Sequence, residues 1–234
     1  MTALHDVVGW LDSVLEPRKF DDVANNGVQV ARRGSAVRLV AFGVDASADF
    51  IDKCAEAGAG LAVVHHGISW GGGIKRIDGG IYEVVKRALD ADIAIYASHL
   101  PLDAHPLYGN NAGIARLLGL AGLEKAFSYH GNLIGLTGTA QGNATHFIGN
   151  IAIKVVAGEK VGVCSGGAGS FAEEAVRLGC GLFVTGEADW GEKVAARNAG
   201  AKMVCAGHYE TETFGVKALQ EALAQAMDVE TVFL

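Results

Sequence analysis

Leu61-Ala62-Val63-Val64-His65-His66-Gly67 is an apolar run that stops on two adjacent imidazoles and a glycine. Residues 61–64 read as a short buried strand. Neighbouring side chains of an extended segment point to opposite faces, so a strand would send only one of the two histidines to a given side. Where the strand gives way to a loop that alternation relaxes, and both rings can reach one point. Imidazole is the commonest protein metal ligand and suits zinc, iron, nickel and copper. The pair alone fits ordinary polar or packed histidines as well, so its meaning depends on its surroundings.

Upstream, residues 37–44 make a second apolar strand that ends at Asp45, and Ser47 is placed to cap a helix running to residue 57. Downstream come the loop Gly71-Gly72-Gly73, a helix over 82–89 and a strand over 93–96. Leu4, Val7, Val8, Leu11, Val14 and Leu15 lie at helical spacing ahead of Pro17, and Asn25-Asn26-Gly27 turns into a short strand. Farther on, strands are expected over 161–164, 182–185, 203–206 and 229–233. Helices are expected to residue 178 after the glycine loop at 165–170, then over 192–199 and 213–227. The middle of the chain yields only a helix over 110–118 and a strand over 133–139. Strands alternating with helices predict an α/β fold with mostly parallel sheets.

The chain also echoes itself. Gly58, Gly60, Leu61 and Val63 match Gly179, Gly181, Leu182 and Val184, and Tyr96-Ala-Ser-His99 lies over Cys205-Ala-Gly-His208. Each of these histidines is followed four residues later by an acid, Asp103 and Glu212. This predicts two similar α/β halves, residues 1–120 with the C-terminal end of the chain, and residues 121–234. Ligand sites in open α/β sheets lie at the carboxyl ends of strands. His65, His66, His99, Asp103, Glu187, His208 and Glu212 all fall there, so the halves are expected to face a shared metal-binding cleft.

Composition excludes several alternatives. Half of the residues are hydrophobic, enough for a large core, and 33 glycines against 3 prolines point to tight turns instead of extended linkers. The formal charge is −7 and no basic block extends beyond Arg32-Arg33, so the footprint of a nucleic-acid binder is missing. Four cysteines without C-x-x-C spacing fit free buried thiols in a reducing compartment. The N-terminal residues lack a secretory apolar region, and the uncharged stretches are broken by Gly, His and Asn. A cytoplasmic protein with no membrane partner is expected.

Several imidazoles with one or two carboxylates suit a pair of divalent metals, which share and acidify a water and clamp an oxyanion or phosphate. Other readings stand beside this one. Asp103 could cap the helix that starts after Gly109. Glu212 could be a favourable acid in the first turn of the last helix, or a partner of Lys217. Glu187 reads as a solvated loop acid, and His5, His105, His130 and His146 as surface or packed residues. The loop at 165–170 is a generic phosphate cradle without the lysine of a P-loop. Trp70 and Trp190 could stack a ring or simply pack.

Taken together, Asn26-Gly-Val-Gln-Val30, Val64-His-His-Gly67, His99-Leu-Pro-Leu-Asp-Ala-His-Pro106, Gly109-Asn-Asn111, Cys164-Ser-Gly-Gly-Ala-Gly169, Thr185-Gly-Glu187 and Gly207-His-Tyr-Glu-Thr-Glu212 form a pattern. It resembles the Nif-three-like dinuclear metal centre proteins, also labelled GTP cyclohydrolase 1 type 2 homologues. The resemblance implies two similar α/β domains, two divalent metal ions per chain (iron, manganese, zinc or nickel) and a ring-shaped homohexamer. It implies His65, His66, Asp103, His208 and Glu212 as metal ligands, with Asp103 and Glu212 as candidate bridges, and places His99 nearby. It also implies that residues 120–160 merely connect the halves, and it leaves Glu210 as an extra acid expected to point away. The function expected is a metal-dependent hydrolase in which metal-bound hydroxide attacks a small phosphorylated or heterocyclic substrate, GTP among the candidates, with His99 moving protons. The alternative is a non-catalytic metal-binding regulatory or interaction protein.

Overall fold

The computed structural model describes residues 1–234. The chain divides into two compact units, Met1–Leu102 with Val216–Leu234, and Asp103–Gly215.

The first unit begins with β1 (Thr2–Ala3), which pairs with β3 (Ala36–Val37), and α1 (Leu4–Leu15). Its main sheet uses β2 (Gly27–Val30), β4 (Leu39–Asp45), β5 (Leu61–His66), β6 (Ala94–Ala97) and β14 (Glu230–Phe233), in the order β14-β4-β5-β6-β2. All pairings are parallel except that of β2 with β6. Helices α2 (Ala48–Ala57) and α3 (Gly79–Asp90) link β4 to β5 and β5 to β6. Helix α2 starts where expected, with the Ser47 hydroxyl accepting from the Phe50 N–H at 3.1 Å.

The sheet is apolar on both faces because both are covered. Val40, Phe42 and Val44 pack with Val7, Leu11 and Leu15 of α1 and with Val216, Leu219 and Leu223 of α8 (His208–Ala226). Leu39 and Ala41 of the same strand pack with Phe50, Ile51 and Cys54 of α2 and Val84 and Ala88 of α3. Period-two alternation thus serves two cores instead of one core and solvent.

A short helix, α4 (Leu100–Asp103), leads into the second unit. There α5 (Asn110–Leu117) precedes β7 (Leu120–Tyr129), β8 (Asn132–Ala140), β9 (Ala144–Ile148), β10 (Ile151–Val155) and β11 (Lys160–Cys164). Then come α6 (Ala172–Arg177), β12 (Leu182–Thr185), α7 (Trp190–Asn198) and β13 (Met203–Cys205). The sheet order is β13-β12-β11-β8-β7, with β13, β12 and β11 parallel and β8 and β7 antiparallel. Strands β9 and β10 form a separate hairpin.

The expectation that residues 120–160 merely connect two halves is therefore overturned, because that segment supplies two sheet strands and the hairpin. Ile153 and Val155 of the hairpin are buried in the core with Ile114, Val161, Val163, Leu182 and Val184. The glycine loop at 165–170 opens a helix as expected, through a short 3-10 turn, Gly169–Phe171; α6 itself has six residues and is capped at Leu178.

Candidate metal centre

Parallel register sets the first cluster of donors. Asp45 pairs with His66 and Val64 with Ala97, so the ends of β4, β5 and β6 come level and Ser98 and His99 follow directly. His65 is fully buried, and its Nδ1 lies 2.9 Å from the Ser98 carbonyl. A carbonyl only accepts, so the proton sits on Nδ1 and the lone pair on Nε2. His66 Nδ1 lies 2.8 Å from Asp45 Oδ1, and His99 Nδ1 2.8 Å from Asp22 Oδ1. One ring nitrogen each from His65, His66 and His99 lie within 4.8 Å of one another. Trp70, which donates its indole N–H to the Gly67 carbonyl at 2.9 Å, sets its ring edge-on to His99 with 5.2 Å between centroids.

Two polar side chains brace this end of the sheet. Gln29 Oε1 accepts from the backbone N–H groups of Ile68 and Ser69 at 2.7 and 3.0 Å, holding the loop that leaves His66. Asn26 Oδ1 accepts from the His99 backbone N–H at 2.8 Å while its amide donates to Asp22 Oδ2 at 2.8 Å. The Asp22 side chain is only 2% exposed. Burial pushes its carboxyl up. The hydrogen bond and charge of His99, with the Ala24 N–H and the Asn26 amide, outweigh this and leave it below the ordinary aspartate value.

In the second unit, β11, β12 and β13 end level at Cys164, Thr185 and Cys205. His208 opens α8, and Glu212 follows one turn later on the same face, with His208 Nε2 3.2 Å from Glu212 Oε1. His208 Nδ1 lies 2.9 Å from Glu187 Oε1. The hydrogen bond to Glu212 does most to raise the His208 imidazole to about 9; burial opposes it, and the Glu212 charge and Glu187 add to it. A carboxylate oxygen of Asp103 and one of Glu212 lie within 4.8 Å of each other, and both residues are buried. Asp103 Oδ1 accepts from Asn110 Nδ2 and from the Ser165 hydroxyl, each at 2.9 Å. Asn111 in turn accepts from the Ser165 N–H at 2.8 Å.

These contacts decide among the readings of single residues. Asp103 does not cap α5, whose N-cap Gly109 has no side-chain bond, but is held by the helix's first side chain. Glu212 is 3% exposed and faces His208, not solvent. Glu187 is an exposed loop acid as expected, and its carboxylate also meets His208 Nδ1. Glu210 is exposed and lies against Gly149 and Gly207. His5, His105, His130 and His146 belong to none of the three-donor groups. Trp190 is 71% exposed with the Arg197 guanidinium 5.5 Å over its ring. Sequence reasoning missed Asp22, Asp45, Asn110, Asn111 and Ser165 as supports. Only Asp45 carried a usable signal, since a polar residue ending the strand beside the His-His strand must fall near the imidazoles.

The donors of each unit are of the kinds that hold divalent metal. Four imidazoles each direct Nδ1 at an oxygen, three of them carboxylate, which is how proteins orient metal-binding histidines through Nε2. Two buried carboxylates within 4.8 Å repel each other when ionised, and a bound cation offsets that repulsion. Gly166 leaves room at these groups, because a Cβ there would collide with Glu212 Oε1 and approach His208 Nε2 to 3.4 Å.

Comparison with known proteins gives a consistent kinship. A protein named GTP cyclohydrolase 1 type 2 homolog from Archaeoglobus fulgidus is 38% identical over 239 residues, covering 99% of this chain and 97% of the relative. A namesake from Treponema pallidum is 38% identical over 259 residues, covering 91% and 90%. Among solved structures, one described as protein ybgI of unknown function has a TM-score of 0.86 at 29% identity, covering 100% of this chain and 98% of that one. TTHA1606 from Thermus thermophilus has a TM-score of 0.79 at 31% identity with the same coverage. Because the profile of Duf34/NIF3 (NGG1p interacting factor 3) matches residues 2–234, the chain belongs to the Duf34/NIF3 family.

Proposed function

We propose that this protein is a metal-dependent hydrolase for a small phosphorylated or heterocyclic substrate. In this reading His65, His66, Asp103, His208 and Glu212 are ligands of a pair of divalent cations, and His99 carries protons. The observation that supports it most is the anchoring of every one of these imidazoles through Nδ1, which reserves Nε2 for work at the site. When bound, such a pair of cations acidifies a shared water and polarises or clamps an oxygen of the substrate. Donors of imidazole nitrogen and carboxylate oxygen without thiolate admit iron, manganese, zinc or nickel.

The protein's own groups have separable tasks. His65, tied through Nδ1 to the Ser98 carbonyl, presents Nε2 as its donor. His66 and His208 are each backed by a carboxylate that raises the basicity of the ligating nitrogen. Asp103 and Glu212 bring negative charge that binds cations, and Asn110 and Ser165 fix Asp103 in place. His99 is held through Nδ1 by Asp22, which leaves Nε2 as the nitrogen that would carry protons. The shared βαβαβ order of β4 to β6 and β11 to β13 supports reading the two units as diverged copies. A ring-shaped homohexamer belongs to the same proposal, and light scattering measures it.

The names of the relatives make GTP the first substrate to try, followed by a panel of nucleotides and phosphoesters. Metal-loaded protein is expected to hydrolyse one of them, and Asp103→Asn to lose that turnover while remaining folded by circular dichroism. Turnover unchanged in Asp103→Asn, or none by fully loaded protein across the panel, would contradict the hydrolase reading.

A further inference from the structure

The geometry points to Asp22 as the positioning residue that sets the tautomer of His99, with the proton on Nδ1 and the lone pair on Nε2, an inference that rests on the hydrolase reading above. Asp22 receives four donors on two oxygens. Oδ1 accepts from His99 Nδ1 at 2.8 Å and from the Ala24 N–H at 3.0 Å. Oδ2 accepts from Asn26 Nδ2 at 2.8 Å and from the Leu100 N–H at 2.9 Å. A carboxylate surrounded only by donors is an acceptor on every side, so His99 must present Nδ1–H to it. That leaves the Nε2 lone pair directed away from Asp22. Asn26, through its bond to the His99 backbone N–H, fixes the same residue from the main-chain side.

His65 offers the contrast. Its Nδ1 meets a backbone carbonyl, a single acceptor that belongs to the strand end itself. His99 meets a buried carboxylate held by three further donors, a side chain whose replacement by its amide can change the tautomer. The same division of labour between a histidine and its acid operates in hydrolytic triads, where replacing the acid by its amide inverts the histidine tautomer.

Asp22→Asn makes the inference sharp. An amide NH2 turned toward Oδ2's partners would face the Leu100 N–H and the Asn26 amide. Asn26 cannot flip without releasing the His99 backbone. Turned the other way, it faces Ala24 N–H and His99, and the imidazole alone among the four partners can change from donor to acceptor by moving its proton to Nε2. The substitution is therefore expected to invert the His99 tautomer.

Solid-state 15N NMR of histidine-labelled protein, metal-free and zinc-loaded, reads this directly, with His99→Gln identifying the His99 signals. The expected result is a protonated Nδ1 and bare Nε2 in the native protein, interchanged in Asp22→Asn. A protonated Nε2 in the native protein, an unchanged tautomer in Asp22→Asn, or a zinc-shifted Nε2 marking His99 as a ligand would each overturn the inference. If Asp22→Asn does not fold, the native spectrum still decides. Zinc content measured on the same samples tests the metal reading separately, since the metal-free tautomer does not depend on it.

Discussion

His208 stands between two glutamates, and its charge state links stability, pH and metal. Its folded-state value of about 9 exceeds the ordinary 6.5 chiefly through the bond to Glu212, so the protonated ring stabilises the metal-free fold. That contribution is fully present below pH 6.5 and disappears as pH rises through about 9. The side chain is 36% exposed, so the effect is discounted for solvent to roughly 1 kcal/mol. Denaturant midpoints of metal-free protein are expected to fall between pH 6.5 and 9, and to lose this slope in His208→Gln. If His208 is a ligand as proposed, metal displaces the same proton, so affinity is expected to rise over that interval, with proton release visible by calorimetry in buffers of different ionisation enthalpy. Asp103 behaves differently. Asp103→Ala strands two buried donors, on Asn110 and Ser165, at about 1–3 kcal/mol each, whereas Asp103→Asn keeps an acceptor and separates folding from metal loss.

At the level of elements, strand ends and the loops leaving them determine where the donors lie. Gly67 follows β5 so closely against β6 that a Cβ would collide with Gln29 Oε1 and come within 2.6 Å of Ala97 Cβ. Gly67→Ala is expected to cost about 1–3 kcal/mol by denaturation, displacing the loop that carries Trp70. Gly166 has a φ of 65°, left-handed backbone that an L side chain enters at a cost of about 1–2 kcal/mol, and its missing Cβ leaves space for Glu212. Gly166→Ala should therefore weaken metal binding as well as stability, which titration with zinc would show. The elements themselves were largely readable. Ser47 announced α2, the apolar runs announced β4, β5 and β11, and the two histidines that end β5 pointed to the candidate site. Strands β7, β9 and β10 were not readable. Leu120–Tyr129 mixes exposed Glu124 and Lys125 with Leu123 on an edge strand, and the hairpin combines buried Ile153 and Val155 with exposed Phe147 and Ile151. Half-exposed strands of this kind carry little periodicity.

For the whole molecule, the sequence conveyed the class of fold and residues that could hold a metal, but not what holds those residues. Asp22 and Asn26 lie more than 70 positions from His99, and Glu187 lies 21 from His208, distances that no local pattern spans. Two sheets, each covered by its own helices, bring these supports to the strand ends. Among the helices, none is long and apolar enough to cross a membrane. The central claim, that the anchored imidazoles and buried carboxylates are metal ligands, is tested most directly by elemental analysis of protein purified without chelators or affinity-tag metal, beside His66→Ala and Asp103→Asn. About two metal ions per native chain are expected, with metal lost in both variants. Native protein that stays free of metal after reconstitution with iron, manganese, zinc and nickel would contradict it.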